Sequence, residues 1–367
     1  MKINNSLLKI KSFILNTDAD FKTSIILSTI IGISVYIYVY GYKILNPLYN
    51  DWLYYQWIDI AQNYTGWLAF LHSKWQFPLL LTDRLTYPEN ISIFWTDSNP
   101  LFSIIFKLFS PLYNYADIQF IGFYSLLSLT LSSIFASQIV RYFNKNVFII
   151  ILGTFFLIYK PTVLHRLVIH ANLSSQFFIY ACIAYILYNY KQDNFKKDLL
   201  IIVLLFALAV SIHFYYVPMI LSFMFFYLLY KAIYFKKIKY MSVLLAGASA
   251  TALSMYILGV FVNYETSQGE GVGFYSFNLN SFWNPMMGWS FIKELPIVYT
   301  YQTDGFAYLG LGFLFLLIIC ISVILYNIKN IYKMKQSKSF KLIFLFTIIY
   351  ITGIILIAMG GVISYNE

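Results

Sequence analysis

Six acidic residues lie in one polar stretch between two long apolar runs, and they are the first candidates for chemistry in this chain. Carboxylates in such a place serve as general bases, or they hold a divalent ion beside a phosphate. Five tryptophans alternate with them; they suit either a belt at the membrane–water interface or stacking on sugar rings, and both interpretations stay open. The residues are Asp51, Asp59, Asp83, Glu89, Asp97 and Asp117, with Trp52, Trp57, Trp67, Trp75 and Trp95.

A second group of polar residues begins at Lys160. His165 and His170 are five positions apart, whereas two metal ligands on one helical face are four apart, so this spacing disfavours a metal site. Arg166 suits two roles: it either holds a lipid phosphate or extends from an apolar helix to the lipid headgroups. The same two interpretations apply to Lys160. His213, near the end of an apolar run, is typical of a packed histidine.

The elements that must position these residues are membrane helices. The chain is 60% hydrophobic and 11% charged, whereas soluble domains carry about 25% charged residues. Since about 20 apolar residues cross a bilayer, the pattern predicts an all-α polytopic membrane protein with about nine transmembrane helices and two long loops, 43–117 and 263–305. We treat residues 1–367 as a single membrane domain, with spans near 23–42, 118–140, 147–160, 171–190, 199–215, 217–235, 241–262, 306–328 and 342–362.

Three further segments each have a prediction of their own. Residues 199–235 are expected to form a helical hairpin that bends at Pro218. Residues 100–113 are too short to span, and they fit a helix lying at the membrane interface. The Gly-rich stretch 269–273 lacks the Lys-Ser/Thr and the strand–loop–helix context of a phosphate-binding loop, so a flexible loop is the better interpretation.

Basic residues predict the orientation. With the N-terminus in the cytoplasm, 18 of the 25 Lys and Arg residues lie on the inner side, and 11 of the 15 acidic residues lie outside. This asymmetry is the positive-inside rule, and it places both long loops outside. It also accounts for the net charge of +10 without a nucleic-acid partner. Cys182 and Cys320 both lie in apolar runs, so they predict no disulfide framework.

Segments of both loops resemble the DUF6311 family of bacterial multi-pass membrane proteins, which is similar to the GT-C superfamily of glycosyltransferases. The resembling segments follow in the same order over about residues 45–325. The sequence contains none of the short catalytic motifs of hydrolases, metalloproteases or P-loop enzymes. The matching segments are DIAQNYTGWLAF (59–70), WQFPLLLTDRLTYPENISIFWTDSNPLFSIIFK (75–107), DIQFIGFYSLL (117–127), KPTVLHRLVIHANLSSQFFI (160–179), IHFYYVPM (212–219), GFYSFNLNSFWNPMMGWSF (273–291) and DGFAYLGLGFLFLL (304–317).

The resemblance implies an enzyme that passes a hexosyl or pentosyl group from a polyprenyl-phosphate carrier to an acceptor on the outer face of the membrane. It implies Asp59 as the general base, with Asp51 as the rival, and Asp97 as a helper that orients the acceptor or the base. Arg166 and His170 would neutralise the leaving phosphate. Lys160, Trp67 and Trp95 complete the expected substrate-binding residues.

Departures from the family pattern leave other functions open. The family has a Gly before the first aspartate and a His after Ala-Gln, where this chain has Ile58 and Asn63. Family members typically continue beyond the point where this chain ends, so a C-terminal part is expected to be lacking. A lipid or polysaccharide transporter and an inactive relative that acts as a membrane assembly partner are the alternatives.

The expected location is the bacterial inner membrane. The expected partners are membrane lipid, the polyprenyl-linked sugar donor and a glycan, lipid or protein acceptor, with no nucleic acid. No metal site and no required cofactor are predicted, and a divalent cation remains an open alternative.

Overall fold

A computed structural model describes residues 17–55, 58–263, 277–296, 305–333 and 338–358. Trp57 and the Gly-rich stretch 269–273 lie outside these residues. Most described residues are helical: α1 (Phe21–Tyr40), α2 (Asp51–Tyr55), α3 (Ile58–Leu71), α4 (Pro100–Leu108), α5 (Ile121–Phe143), α6 (Val147–Ile158), α7 (Pro161–Ile169), α8 (Phe177–Asn189), α9 (Phe195–Ile212), α10 (Tyr216–Phe235), α11 (Ser242–Ile257), α12 (Leu311–Lys333) and α13 (Lys338–Ala358). One hairpin, β1 (Leu81–Thr86) with β2 (Glu89–Ser92), is antiparallel.

The prediction of an all-α membrane protein is confirmed. Among the described residues, seven helical segments are long and apolar enough to cross a membrane, or eight if α6 and the start of α7 form one broken span. Helix α9 is not among them because its first turn carries Lys196, Lys197 and Asp198. Each of the nine predicted runs contains a helix, but nine crossings stay a prediction.

The hairpin over 199–235 bends at a different place from the one predicted. Helix α9 ends at Ile212 and α10 begins at Tyr216, so the bend comprises residues 213–215. Pro218 lies in the first turn of α10, where backbone N–H groups have no partner within the helix and the missing N–H costs little. The proline therefore belongs to the first turn of the next helix and not to the bend.

The described residues fall into two compact units. The first comprises the described parts of Met1–Tyr159 and Val163–Glu265, and the second those of Lys160–Thr162 and Thr266–Glu367.

Small residues let α1 and α5 pack closely in the first unit. Ser24, Ser28 and Gly32 recur every fourth position along α1 and are the contact face. A Cβ at Gly32 would lie 2.9 Å from the Cα of Thr130, so only a glycine fits this approach. Ser133 Oγ donates to the Ser28 carbonyl at 2.6 Å. Close approach of small residues with hydroxyl hydrogen bonds is the usual way that membrane helices associate.

The first long loop folds onto the ends of the spans. The aromatic face of α3 enters the largest hydrophobic core, where Trp67 and Tyr64 are fully buried. The hairpin is fixed to the end of α11, because Leu79 N–H donates to the Ile257 carbonyl at 2.9 Å and Ser92 Oγ to the Leu258 carbonyl at 2.9 Å. Pro100–Leu108 form α4 and Ser110–Tyr113 a 3₁₀ turn, so the segment is a short helix, and its position at the membrane interface stays a prediction.

The second unit has a small core of its own. Met286, Phe306 and Tyr308 are buried together, and Trp289 packs against them. Asn284 is fully buried and exchanges two hydrogen bonds with the backbone of Leu295, at 3.1 and 2.9 Å. These contacts order the described part of the second long loop ahead of α12.

Candidate functional site

The first unit contains a pocket of about 530 Å³ in which two acidic and two histidine side chains meet. The rest of its wall is mostly aromatic and apolar. One segment of the first long loop and the bend between α9 and α10 both contribute to it. The lining residues are Asp59, Phe94, Trp95, Asp97, Ser98, Pro100, His170, Leu173, Ile212, His213, Phe214, Tyr215 and Met255.

Asp59 and His170 form the first acid–imidazole pair. Asp59 lies in the first turn of α3, and His170 directly follows α7, held there by its own N–H, which donates to the Arg166 carbonyl at 2.9 Å. His170 Nδ1 lies 3.2 Å from Asp59 Oδ2. The Asp59 side chain is 45% exposed, so its carboxylate can also reach a molecule in the pocket.

Asp97 and His213 form the second pair, and the backbone decides where the imidazole proton lies. The Tyr215 N–H donates to His213 Nδ1 at 3.2 Å, so this nitrogen is an acceptor and carries no proton. The proton is therefore on Nε2, which lies 2.9 Å from Asp97 Oδ1 and donates to it. His213 thus acts as a neutral donor that fixes one oxygen of the carboxylate and leaves the other for a ligand.

Three asparagines hold the backbone of Asp97 in an unusual conformation. Asp97 is left-handed (φ 56°, ψ 14°), which is rare for a residue with a side chain. Its carbonyl accepts hydrogen bonds from the amide nitrogens of Asn63, at 2.7 Å, and Asn172. Asn172 is fixed in turn, because its oxygen accepts from Asn99 at 3.0 Å, and Asn99 also caps α4. The Asp97 side chain is thereby directed by buried amides from three elements.

Gly66 allows this loop to approach α3. A Cβ at this position would overlap Thr96 Oγ1 and Ser98 Oγ. The contact is completed by Ser98 Oγ, which donates to the Asn63 carbonyl at 2.7 Å. Since Asp59, Asn63 and Gly66 are spaced three and four positions apart, they share one face of α3, so this face both presents the first acid and holds the second.

A family model described as a domain of unknown function, DUF6311, matches residues 29–367. The chain belongs to the DUF6311 family. No curated protein and no solved structure matches the chain. All pocket-lining residues fall within the part that matches the DUF6311 model.

Four of the residues predicted from sequence meet in this DUF6311 pocket: Asp59, Asp97, His170 and Trp95. The indole of Trp95 is 38% exposed, and its Nε1–H donates to the Val260 carbonyl at 3.1 Å, which fixes the ring at the pocket wall. A fixed, partly exposed indole suits stacking on a ligand.

The other four predicted residues do not line the pocket. Trp67 is fully buried in the core and donates to the Ile118 carbonyl at 2.8 Å, so its role in the structure is packing. Asp51 is exposed at the start of α2. Arg166 is half-buried on α7, one turn before His170. Lys160 belongs to the second unit.

Sequence reasoning missed His213 and the asparagines around Asp97. His213 ends an apolar run and was interpreted as a packing residue, because nothing in its local sequence indicates an acid partner. The asparagines carry no charge and follow no catalytic motif, although Asn63, Asn99 and Asn172 all lie in the segments that resemble the family. Among the described residues, no three His, Cys, Asp or Glu side chains come together in the way metal ligands do.

Proposed function

We propose that this DUF6311 member is a membrane glycosyltransferase that moves a sugar from a polyprenyl-phosphate carrier to an acceptor. The observation that carries the proposal is that two carboxylates, each paired with an imidazole, project into one and the same pocket. Transfer to a hydroxyl needs a base for the acceptor and a polar group beside the departing phosphate, and this pocket offers both. Its aromatic wall suits a sugar ring, and the helices around it suit a lipid-linked donor.

The proposed step balances without a cofactor. Asp59 takes the proton of the acceptor hydroxyl, the acceptor oxygen forms a bond to the anomeric carbon, and the bond from that carbon to the phosphate oxygen breaks. The electron pair of the broken bond leaves with the polyprenyl phosphate. His170, when protonated, faces the developing phosphate charge, a charge-assisted contact. Asp97, fixed by His213, orients the acceptor hydroxyl.

The location follows from the same proposal. A polyprenyl-linked donor is presented within the membrane, and the pocket is built from the first long loop, which the basic residues predict to be outside. We therefore propose a bacterial inner-membrane enzyme with its pocket toward the cell exterior, and a glycan, lipid or protein as acceptor.

The test is consumption of radiolabelled polyprenyl-phosphate sugars by membranes that contain the full chain. We expect turnover by the wild type and a loss of about 100-fold or more in Asp59→Asn at equal membrane levels. Asp51→Asn is the matched control, since it makes the same change in the same loop at a residue that does not line the pocket. Loss of turnover in Asp51→Asn with full turnover in Asp59→Asn would transfer the base to Asp51, and no turnover with any donor would refute the proposal.

A further inference from the structure

A second cavity, of about 560 Å³, lies in the first unit and shares no lining residue with the pocket. It opens between α1, α5, α8 and α9. Its lining is mostly apolar, with Phe135, Ala184, Leu204 and Leu208 among the side chains, and Gln138 and Asn189 form its polar end. We call this cavity the lower groove. It has the form of a site for one hydrocarbon chain with a polar head.

Two cations flank the polar end of the lower groove. Lys197 is exposed in the first turn of α9, and its Nζ donates to Asn189 Oδ1 at 2.8 Å. Arg141 lies one turn after Gln138 on α5, and its Nε donates to the Ala19 carbonyl at 3.3 Å, next to the start of α1. Lys197 thus contacts one of the two polar lining residues, and Arg141 lies on the same helix as the other.

Two of the acidic groups at this end are already engaged. Asp20 is the N-cap of α1 and accepts from the Thr23 N–H at 2.7 Å, a hydrogen bond that lowers the pKa of its carboxyl. Asp198 is buried and lies 2.5 Å from Lys231 Nζ, with hydroxyl hydrogen bonds from Tyr185 and Tyr227 at 2.8 Å each. Lys196 and Lys22 add exposed positive charge. With Asp18 and Asp193 counted as well, basic residues still outnumber acidic ones at this end of the helices.

We infer that the lower groove binds one anionic glycerophospholipid, with an acyl chain along the apolar wall and the headgroup phosphate between Lys197 and Arg141. Helices α1 and α5 are of membrane-spanning length, so the groove opens where lipid is the surrounding solvent. Basic side chains at a membrane surface favour anionic lipids. The occupant is a structural lipid, and the inference is independent of the proposed transferase activity.

The experiment is native mass spectrometry of the full chain in detergent with phosphatidylglycerol or phosphatidylcholine added. We expect the wild type to retain one phosphatidylglycerol preferentially. Lys197→Gln and Arg141→Gln should each weaken that binding by about fivefold. Lys236→Gln is the matched control, because it removes one exposed positive charge from the same end of the helices but away from the groove.

A second pair of variants tests the apolar wall. Leu204→Trp places an indole in the groove and should reduce bound phosphatidylglycerol, whereas Leu200→Trp, one turn earlier on α9 and outside the groove, should not. Equal retention of the two lipids by the wild type would overturn the inference, as would equal effects of Lys197→Gln and Lys236→Gln. A dimer mass that Leu204→Trp abolishes would assign the groove to a second copy of the chain instead.

Discussion

Asp59 and Asp97 line the same pocket but are held very differently. Asp97 has its carbonyl fixed by two amides and one carboxylate oxygen fixed by His213. Asp59 has His170 at 3.2 Å and a more exposed side chain, 45% against 27%. A rigid carboxylate suits orientation of a substrate, whereas an accessible one suits proton transfer, since a base must approach the proton that it takes. This difference supports the proposal that Asp59, and not Asp97, is the base.

The fixed position of Asp97 gives the first prediction. His213→Ala removes a hydrogen bond to a charged group and should lower kcat/KM by about 10- to 100-fold. His213→Gln keeps an N–H donor and should retain most of the activity, which a purely steric role of the ring would not allow. The control is His72→Ala, because His72 pairs with Asp117 at 2.6 Å in the same loop but does not line the pocket. Equal losses in His213→Gln and His213→Ala would contradict this role.

Lys107, on the non-spanning helix α4, gives a pH-dependent prediction. Its side chain is 2% exposed, and its Nζ lies 3.9 Å from the centre of the Phe70 ring and 3.1 Å from Ser73 Oγ. Burial lowers the pKa of Lys107 to about 8 from its ordinary value of 10.5. The folded protein therefore binds fewer protons than the unfolded chain between about pH 8 and 10.5, so stability should rise with pH across that interval.

The size of this effect follows from the same pKa difference. The lowered pKa of Lys107 corresponds to about 3 kcal/mol in the free energy of unfolding. Below pH 8 the folded protein is less stable by this full amount, because the buried ammonium group is then charged. Lys107→Met should remove the penalty, so the variant should melt at a higher temperature than the wild type at pH 7. The difference in melting temperature between the variant and the wild type should become smaller as the pH approaches 10. Thermal unfolding followed by tryptophan fluorescence in detergent measures the melting temperatures at each pH. A difference in melting temperature that does not change with pH would contradict the lowered pKa of Lys107.

At the scale of elements, the site depends on how one loop lies on α3. The helices themselves were predictable, because apolar runs of span length and helix-starting residues are local signals. The approach of residues 96–99 to α3 was not, since it depends on the absence of a side chain at Gly66 and on amides from α3 and the segment after α7. A glycine in a helical stretch indicates a close contact, but the sequence does not identify the partner.

Gly66→Ala tests this dependence. The added methyl group overlaps Thr96 Oγ1 and Ser98 Oγ, so the loop must move and Asp97 with it. Overpacking of this kind costs about 1–3 kcal/mol, and we expect loss of activity together with a lower melting temperature. Thr65→Ala, at the exposed neighbouring position, should change neither. A fully active Gly66→Ala would show that Asp97 is not positioned by this contact.

At the scale of the whole chain, the open question is whether α9 crosses the membrane. The three charges in its first turn exclude α9 from the span-like helices although its apolar run predicts a crossing, but the charge of Asp198 is compensated within the structure. It is 1% exposed, pairs with the fully buried Lys231 of α10, and accepts hydroxyl hydrogen bonds from Tyr185 and Tyr227. A carboxylate paired in this way lowers the cost of burial that the sequence pattern alone would assign. The pair lies beyond any local sequence window, so only the fold reveals it.

Cysteine labelling decides between a crossing and a non-crossing α9. In a background with Cys182→Ala and Cys320→Ala, single cysteines at the exposed positions Tyr87, Gln192, Tyr215 and Ile238 are treated with a membrane-impermeant maleimide. If α9 and α10 both cross, Gln192→Cys and Ile238→Cys react on one side. Tyr215→Cys, at the pocket, reacts on the other side with Tyr87→Cys.

The basic residues further predict which side is which. Tyr87→Cys and Tyr215→Cys should react in intact cells, and the other two only after permeabilisation, because the excess of positive charge remains inside. The contact of Lys237 with Asp193, and the hydrogen bond from the Tyr240 hydroxyl to Asp193 Oδ1 at 2.6 Å, place the two loops of the Gln192 and Ile238 variants at one end of the helices. These two variants must therefore react alike. Labelling of Gln192→Cys together with Tyr215→Cys would mean that α9 does not cross, and an inverted pattern would reverse the orientation and place the pocket in the cytoplasm.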